Sequence, residues 1–237
     1  MNQIPDYIKI MKQKERTFLS EHESKNLLSS HGISITKEVL VSGKDEIEDA
    51  IGLFGSSNPM VLKLDSPDIQ HKTEAGLVRL NVTGLKKAME VYDELHDNAR
   101  RYNSKARING ILIQEMVTGA VAECIIGMSH DKQFGPVILF GLGGIMVEVF
   151  EDVALRIPPF DESQAVDMIQ EIKGSKLLNG FRGNQPADIS ALTDVLVKMS
   201  DLAIDLGDDI SEIDINPLLV FAEGKGVKAV DALVRLS

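Results

Sequence analysis

The chain has 237 residues, 43% of them hydrophobic, which is enough apolar material to core one large domain or two smaller ones. A formal net charge of -11 argues against nucleic acid or an anionic membrane as partner, since both reward a basic surface; an anionic ligand must be met by a local cluster of cations or through a metal ion. The opening residues lack the apolar centre of a signal peptide. The most hydrophobic run, 136–150, is broken by glycines and carries Glu148, so a soluble protein is expected.

In chain order, residues 1–19 are charged and irregular and are taken as a lead-in arm. Ser20 and Glu23 form a capping box and Gly32 a stop, which predicts a helix over 21–30. An alternating run at 35–41 predicts a strand, and Ser42 opens a second helix to about residue 54. Strands follow at 60–64 and 77–82. A long helix then starts near Thr83 with Leu85, Ala88, Met89, Tyr92, Leu95, Ala99 and Tyr102 on one stripe, leaving His96 solvated. From residue 109 strands dominate, at 111–116, 122–128, 137–140, 145–150 and 153–157, and predict a second lobe on an antiparallel sheet. Asp161 caps a helix to Ile172. A further helix over 188–206 buries Ile189, Leu192, Val195, Leu196, Met199, Leu202, Ala203 and Leu206. Two strands, 212–221 and 226–234, close the chain around a Glu223-Gly224-Lys225 turn. Cys124, the single cysteine, has no partner for an internal bridge; it is expected to be buried and inert, which suits a reducing cytoplasm.

Three constellations carry chemistry. Between the strands at 60–64 and 77–82 lies a polar loop with Pro67, His71, Lys72 and Gly76. Its backbone amides, with Lys72 and with Lys63 from the preceding strand, can meet a phosphate. Imidazole is nucleophilic near pH 7, so His71 beside such cations can carry a phosphoryl group; the same residues also fit an ordinary exposed loop. Period-two alternation next puts Glu212, Asp214 and Asn216 on one face, with Asp231 able to lie opposite. These hard oxygen donors suit Mg²⁺ on a nucleotide, or form a solvated acidic face. Finally, Gln114-Glu115-Met116-Val117 with Glu123 could hold a purine and a ribose hydroxyl, or be plain strand. Gly141-Leu142-Gly143-Gly144 lacks the dinucleotide-binding spacing and leads into IMVEVF; it is read as a tight turn allowing close backbone approach.

Taken together, ESKNLLSSHGI, VLKLDSPDIQHKTEAG, ILIQEMV, FGPVILFGLGGIMVEVFEDVALRIPPF, EIKGSKLLNGFRG and EIDINPL make the chain resemble, from Ser20 onward, the β subunit of ADP-forming acetyl-CoA synthetase. This family is an ATP-grasp relative of succinyl-CoA synthetase. The resemblance implies an α+β (α/β) two-lobed ATP-grasp fold with the nucleotide between the lobes. The expected boundaries are an arm at 1–19, a small lobe at 20–108 with the phosphohistidine loop, and a large lobe at 109–237 with the Mg-binding hairpin. It implies an acid–CoA ligase catalysing acyl-CoA + ADP + phosphate ⇌ carboxylate + ATP + CoA. His71 would be the relaying phosphohistidine, on a mobile loop hinged at Pro67 and Gly76. Lys63 would bind phosphate, Glu115, Met116 and Val117 the adenine, Glu123 the ribose, and Asp214, Asn216 and Asp231 the Mg²⁺. Lys72 and Arg156 join the nucleotide-binding set by nearness to the motifs. The sequence departs from its relatives at Leu77, where a second glycine is common. No part of the chain resembles a CoA site, so a partner α subunit is expected to supply it, in a cytoplasmic α2β2 heterotetramer. A stand-alone ATP-grasp ligase working through an acyl phosphate, and a non-catalytic nucleotide-sensing subunit, are the alternatives.

Overall fold

The structure, a computed structural model, describes residues 4–13, 15–144, 147, 149–180, 183 and 185–237. The chain divides into two compact units: a smaller one of Ser20–His22 and Thr36–Thr118, and a larger one of Met1–Leu19, Glu23–Ile35 and Gly119–Ser237.

The smaller unit is a four-stranded antiparallel sheet with helices on one face. Its strands are β1 (Glu38–Val41), β2 (Met60–Asp65), β3 (Val78–Val82) and β4 (Gly110–Glu115), in the order β1-β4-β2-β3. Alternate residues Met60, Leu62 and Leu64 of β2, with Ile111 and Ile113 of β4, enter the core shared with helices α3 (Ile47–Gly52) and α4 (Leu85–Tyr102). α4 buries Ala88, Val91, Leu95 and Ala99; of these the larger Val91 and Leu95 each contribute about 1.5–3 kcal/mol over exposure. Tyr102, expected on the buried stripe, is exposed, whereas His96 is half-buried and stacks on Tyr92 at 4.3 Å between ring centres. The helix expected from Ser42 opens instead as a short 3-10 turn, Lys44–Glu46, ahead of α3.

The larger unit is built on a second antiparallel sheet. Its strands are β5 (Ala122–Asp131), β6 (Gly135–Leu142), β7 (Val153–Arg156), β8 (Ile210–Val220), β9 (Val227–Ala229) and β10 (Ala232–Leu236), ordered β10-β8-β5-β6-β7 with β9 also on β8. Its core gathers Ile126, Phe140 and Ile215 from the sheet. Met168 and Ile169 of helix α5 (Glu162–Glu171) and Leu192, Leu196, Met199 and Leu202 of helix α7 (Ile189–Leu206) complete it. A single-turn helix α6 (Ser175–Leu178) lies between them. Asp161 caps α5 in a full capping box with Gln164. Asp188 caps α7 through Ala191 N and also accepts from Gly226 N at 2.8 Å, fixing the helix start to the β8–β9 turn; these two amides hold its carboxyl below the ordinary range. Cys124 is buried in β5, and burial pushes its thiol up to about 12, which makes it inert.

Three expectations need correction. The arm is not irregular: Ile4–Gln13 forms helix α1, whose Ile8 and Met11 enter the larger core, and Leu19 N donates to Val234 O of β10. The division does not fall at 108/109, because β4 pairs with β1 and β2 and belongs to the smaller unit. The strand expected at 145–150 is not formed by Val147, Val149 or Phe150, which lie in helix or turn, while Ile145, Met146 and Glu148 lie outside the described residues.

Candidate active site

Helix α2 (Glu21–Ser30) starts with a turn tied to the smaller unit by polar contacts. Asp65, buried at the end of β2, accepts from His22 N at 3.1 Å and from Asn109 Nδ2 at 2.8 Å. The His22 ring lies 2.9 Å from the Glu38 carboxylate. Glu21 is thereby held over β2, where its carboxylate meets two ammonium groups, Lys63 Nζ at 2.7 Å and Lys72 Nζ at 2.8 Å. The three side chains are 0%, 6% and 9% exposed. Charges taken so far out of water need opposite charge close by to offset the loss of hydration; Lys63 donates a hydrogen bond to Glu21 Oε1, and Lys72 adds a close ion pair at Oε2.

Lys72 belongs to the loop of residues 66–77, which returns from β2 to β3. Ile69 and Leu77 anchor it in the core. Ser66 Oγ accepts from Asp68 N, Gln70 donates to Pro67 O, and the Asp68 carboxylate takes the Arg107 guanidinium side-on with contacts down to 2.6 Å. The chain then coils into one tight turn: Ala75 N donates to His71 O, Gly76 N to Thr73 O, and Leu77 N to Lys72 O at 2.8 Å. Gly76 has φ +67, a conformation glycine adopts without strain, and its carbonyl accepts from Asn98 Nδ2. Lys72 therefore points inward while His71, Thr73 and Glu74 are exposed. The imidazole stands at the tip, one residue from a buried cation.

The acidic strand pair follows the expected alternation. Leu233 of β10 lies opposite Asp214 and Ala232 opposite Ile215, and Asn216 N donates to Asp231 O at 3.2 Å, so Asp231 and Asn216 are neighbours across the ladder. Burial, and then the Glu212 and Asp231 carboxylates, push Asp214 up to about 6. A carboxyl in that situation is stabilised by a proton or by a metal ion. Among the described residues no group of three or more His, Cys, Asp or Glu is arranged to hold a metal. Asp214, Asn216 and Asp231 offer two carboxylates and an amide, the smaller set that Mg²⁺ needs when nucleotide phosphates complete its shell.

The expected adenine strand is partly engaged already: Glu115 closes β4 with its carboxylate accepting from Lys37 N at 2.8 Å. Met116 lines a pocket of about 370 Å³ with Phe54, Pro59 and Lys37, whose ammonium stands 5.1 Å over the Phe54 ring; Val117 is half-buried. Glu123 is exposed on β5 in the larger unit, and its carbonyl accepts from Gly143 N at 2.7 Å. The close approach expected of the glycine run is present. A Cβ on Gly143 would meet Glu123 O at 3.4 Å, and one on Gly141 would meet Val147 Cγ2 at 2.9 Å and Asp152 O at 3.0 Å. Arg156 lies on β7 with its guanidinium 2.7 Å from Glu171 of α5, a carboxylate it would have to release to meet a phosphate.

Sequence reasoning missed Glu21 and Asp65. A glutamate in the first turn of a helix is commonplace, and neither residue's partners lie within its own local pattern. It also missed Lys25, wholly buried, whose ammonium donates to Val230 O at 3.2 Å beside Asp231.

The ATP-grasp domain family matches residues 10–236. The ADP-forming acetate–CoA ligase II subunit beta of Pyrococcus furiosus is 42% identical over 93% of this chain and 92% of its own. The ADP-forming 4-hydroxybutyrate–CoA ligase of Nitrosopumilus maritimus is 39% identical over 95% of this chain, which spans only 32% of that longer protein. Among solved structures, acetyl-coenzyme A synthetase 1 of Ca. Korarchaeum cryptofilum superposes in two states. With coenzyme A, acetyl-coenzyme A and a phosphorylated phosphohistidine segment in its site I orientation, the TM-score is 0.87 at 38% identity. With coenzyme A and Mg-AMPPCP, the segment pointing towards the nucleotide binding site, it is 0.82 at 36% identity. Both alignments cover 98% of this chain and 99% of the other.

Proposed function

We propose a phosphoryl relay for this chain, which belongs to the ATP-grasp family and, within it, to the β subunits of ADP-forming acetate–CoA ligases. It is the nucleotide-binding side of an acid–CoA ligase: acyl-CoA, ADP and phosphate are exchanged for carboxylate, ATP and CoA, and His71 carries the phosphoryl group between the two halves of the reaction.

The observation that supports this most directly is the placement of His71, exposed at the tip of a loop whose next residue, Lys72, is buried and whose ends are anchored in the core by Ile69 and Leu77. A nucleophile that must visit two sites needs an accessible ring on a segment able to detach, and a tight turn on two anchored strands is such a segment. In the ATP-forming direction a β-phosphate oxygen of ADP attacks phosphorus on the phosphohistidine. The new P–O bond forms as the N–P bond breaks, and the electron pair returns to the imidazole. Lys63 and Lys72 hold the phosphoryl oxygens, Glu115, Met116 and Val117 the adenine, and Glu123 a ribose hydroxyl, while Arg156 adds a cation at the nucleotide side. Asp214, Asn216 and Asp231 hold Mg²⁺, which when bound neutralises charge on the diphosphate.

The chemistry of the acyl-CoA half belongs to a separate α subunit, in an α2β2 assembly. Relatives three times as long carry further sequence in the same chain, consistent with two activities that can be fused or divided. No described helix is long and apolar enough to cross a membrane, and the one thiol is buried, which suits the reducing cytoplasm in which we place the complex.

The test is His71→Ala with the partner subunit present. Loss of ATP formation together with loss of acid-labile, base-stable label from γ-labelled ATP is expected; unchanged turnover would remove the relay, and turnover without any labelling of the wild type would favour an acyl phosphate route.

A further inference from the structure

Glu21 has no part in the relay just described, yet it is among the most deeply buried carboxylates of the smaller unit and pairs with both lysines of the phosphate side. The two lysines differ in what holds them. Lys63 is in the middle of β2, between β3 and β4, and stays with the sheet whatever the loop does. Lys72 is on the loop itself and must leave with it. The Lys72–Glu21 pair is thus an ion pair between a fixed carboxylate and a segment that moves.

We propose that Glu21 is a positioning residue that latches the His71 loop in its docked state, and that phosphorylation of His71 opens the latch. This rests on the relay, since only a loop that carries phosphate has reason to be released on loading.

A phosphoryl group on the imidazole places a charge of about -2 and three acceptor oxygens one residue from the Lys72 ammonium. The dianion competes with Glu21 for that ammonium at far shorter reach along the chain, and Glu21 loses little by yielding, because Lys63 still neutralises it. The unloaded loop is held and the loaded loop is freed. A shift of this kind requires that the ligand, here the phosphoryl group, interact differently with the two states, and an ammonium shared by only one of them supplies the difference. The first turn of α2 is suited to bear the latch because Asp65 and Glu38 clamp it through His22, so Glu21 does not follow Lys72 outward.

The experiment is hydrogen exchange on the full-length chain, read at the amides of Ala75, Gly76 and Leu77, whose acceptors all lie within the loop. Phosphoramidate loads the exposed histidines without nucleotide, and His71→Ala treated alike isolates the His71 contribution. Glu21→Gln is expected to speed exchange of these three amides about tenfold or more while α4 amides keep their rates. Phosphorylated wild type should show the same increase, and phosphorylated Glu21→Gln no further one. Wild-type exchange in unphosphorylated Glu21→Gln, or two effects that multiply, would overturn the latch. If Glu21→Gln fails to fold, Lys72→Met, which keeps the Lys63–Glu21 pair, replaces it with the same expectation and the same contrary result. Failure here leaves labelling of His71 by ATP untouched, so the latch and the relay fail separately.

Discussion

Asp65 accepts a hydrogen bond from the backbone of His22 at 3.1 Å, so the last residue of β2 caps a helix start from outside that helix. A buried carboxylate that satisfies an otherwise orphaned helix N–H is costly to remove. Asp65→Ala leaves the His22 amide and the Asn109 side chain without this acceptor, and should destabilise the smaller unit by about 1–3 kcal/mol. Urea denaturation measures it, and Asp65→Asn, which keeps an acceptor oxygen, should lose less.

His71→Ala should leave stability within about 0.5 kcal/mol of wild type, because the ring is exposed. Equal urea midpoints alongside a missing label would separate a chemical role from a structural one.

Acidity should act through Asp214. Burial and the neighbouring carboxylates raise its pKa in the folded chain to about 6, above the ordinary aspartate range, so the folded state holds the proton more tightly. Stability from this group is full below about pH 4, falls as pH rises towards 6, and stays reduced above it. If Asp214 holds Mg²⁺ as proposed, the ion competes with the same proton, and the gain in melting temperature on adding Mg²⁺ with ADP should be largest above pH 6 and fade below it. Asp214→Asn should flatten both dependences; a melting curve series from pH 4 to 8 with and without Mg²⁺ reads them together.

Gly141→Ala should destabilise the larger unit by about 1–3 kcal/mol, since the added methyl would meet Val147 and the Asp152 carbonyl at 3.0 Å or less. Gly144→Ala meets nothing within 4 Å, but its φ of +64 disfavours a side chain, so its smaller cost should come from the backbone alone. Thermal melts of the two variants rank the effects.

Much of the fold was legible because its signals are local. The β2–β3 loop stood out between two apolar runs, α7 appeared with its Asp188 cap, and the alternation of Glu212, Asp214 and Asn216 followed from the pleat; the single strand expected at 226–234 is instead broken between β9 and β10, and Asp231 sits in that break beside Asn216. What escaped was pairing at a distance. The local pattern of β4 marks it as a strand but not as the partner of β1 and β2, which precede it by many residues. α1 shows its purpose only through Ile8 and Met11 in a core assembled from later segments. The same holds within the site. His71 could be chosen for its chemistry and its lysine neighbours, whereas Glu21 earned attention only once folding brought Lys63 and Lys72 to its two oxygens.

The most direct measurement is a chase. Chain labelled at histidine by γ-labelled ATP is freed of nucleotide, mixed with Mg-ADP, and followed for the appearance of label in ATP. Transfer from wild type to ADP, with no labelled protein to begin with in His71→Ala, is the expected result. Label that forms but stays on the protein in the presence of Mg-ADP, or forms equally in His71→Ala, would contradict a phosphoryl group carried by this imidazole.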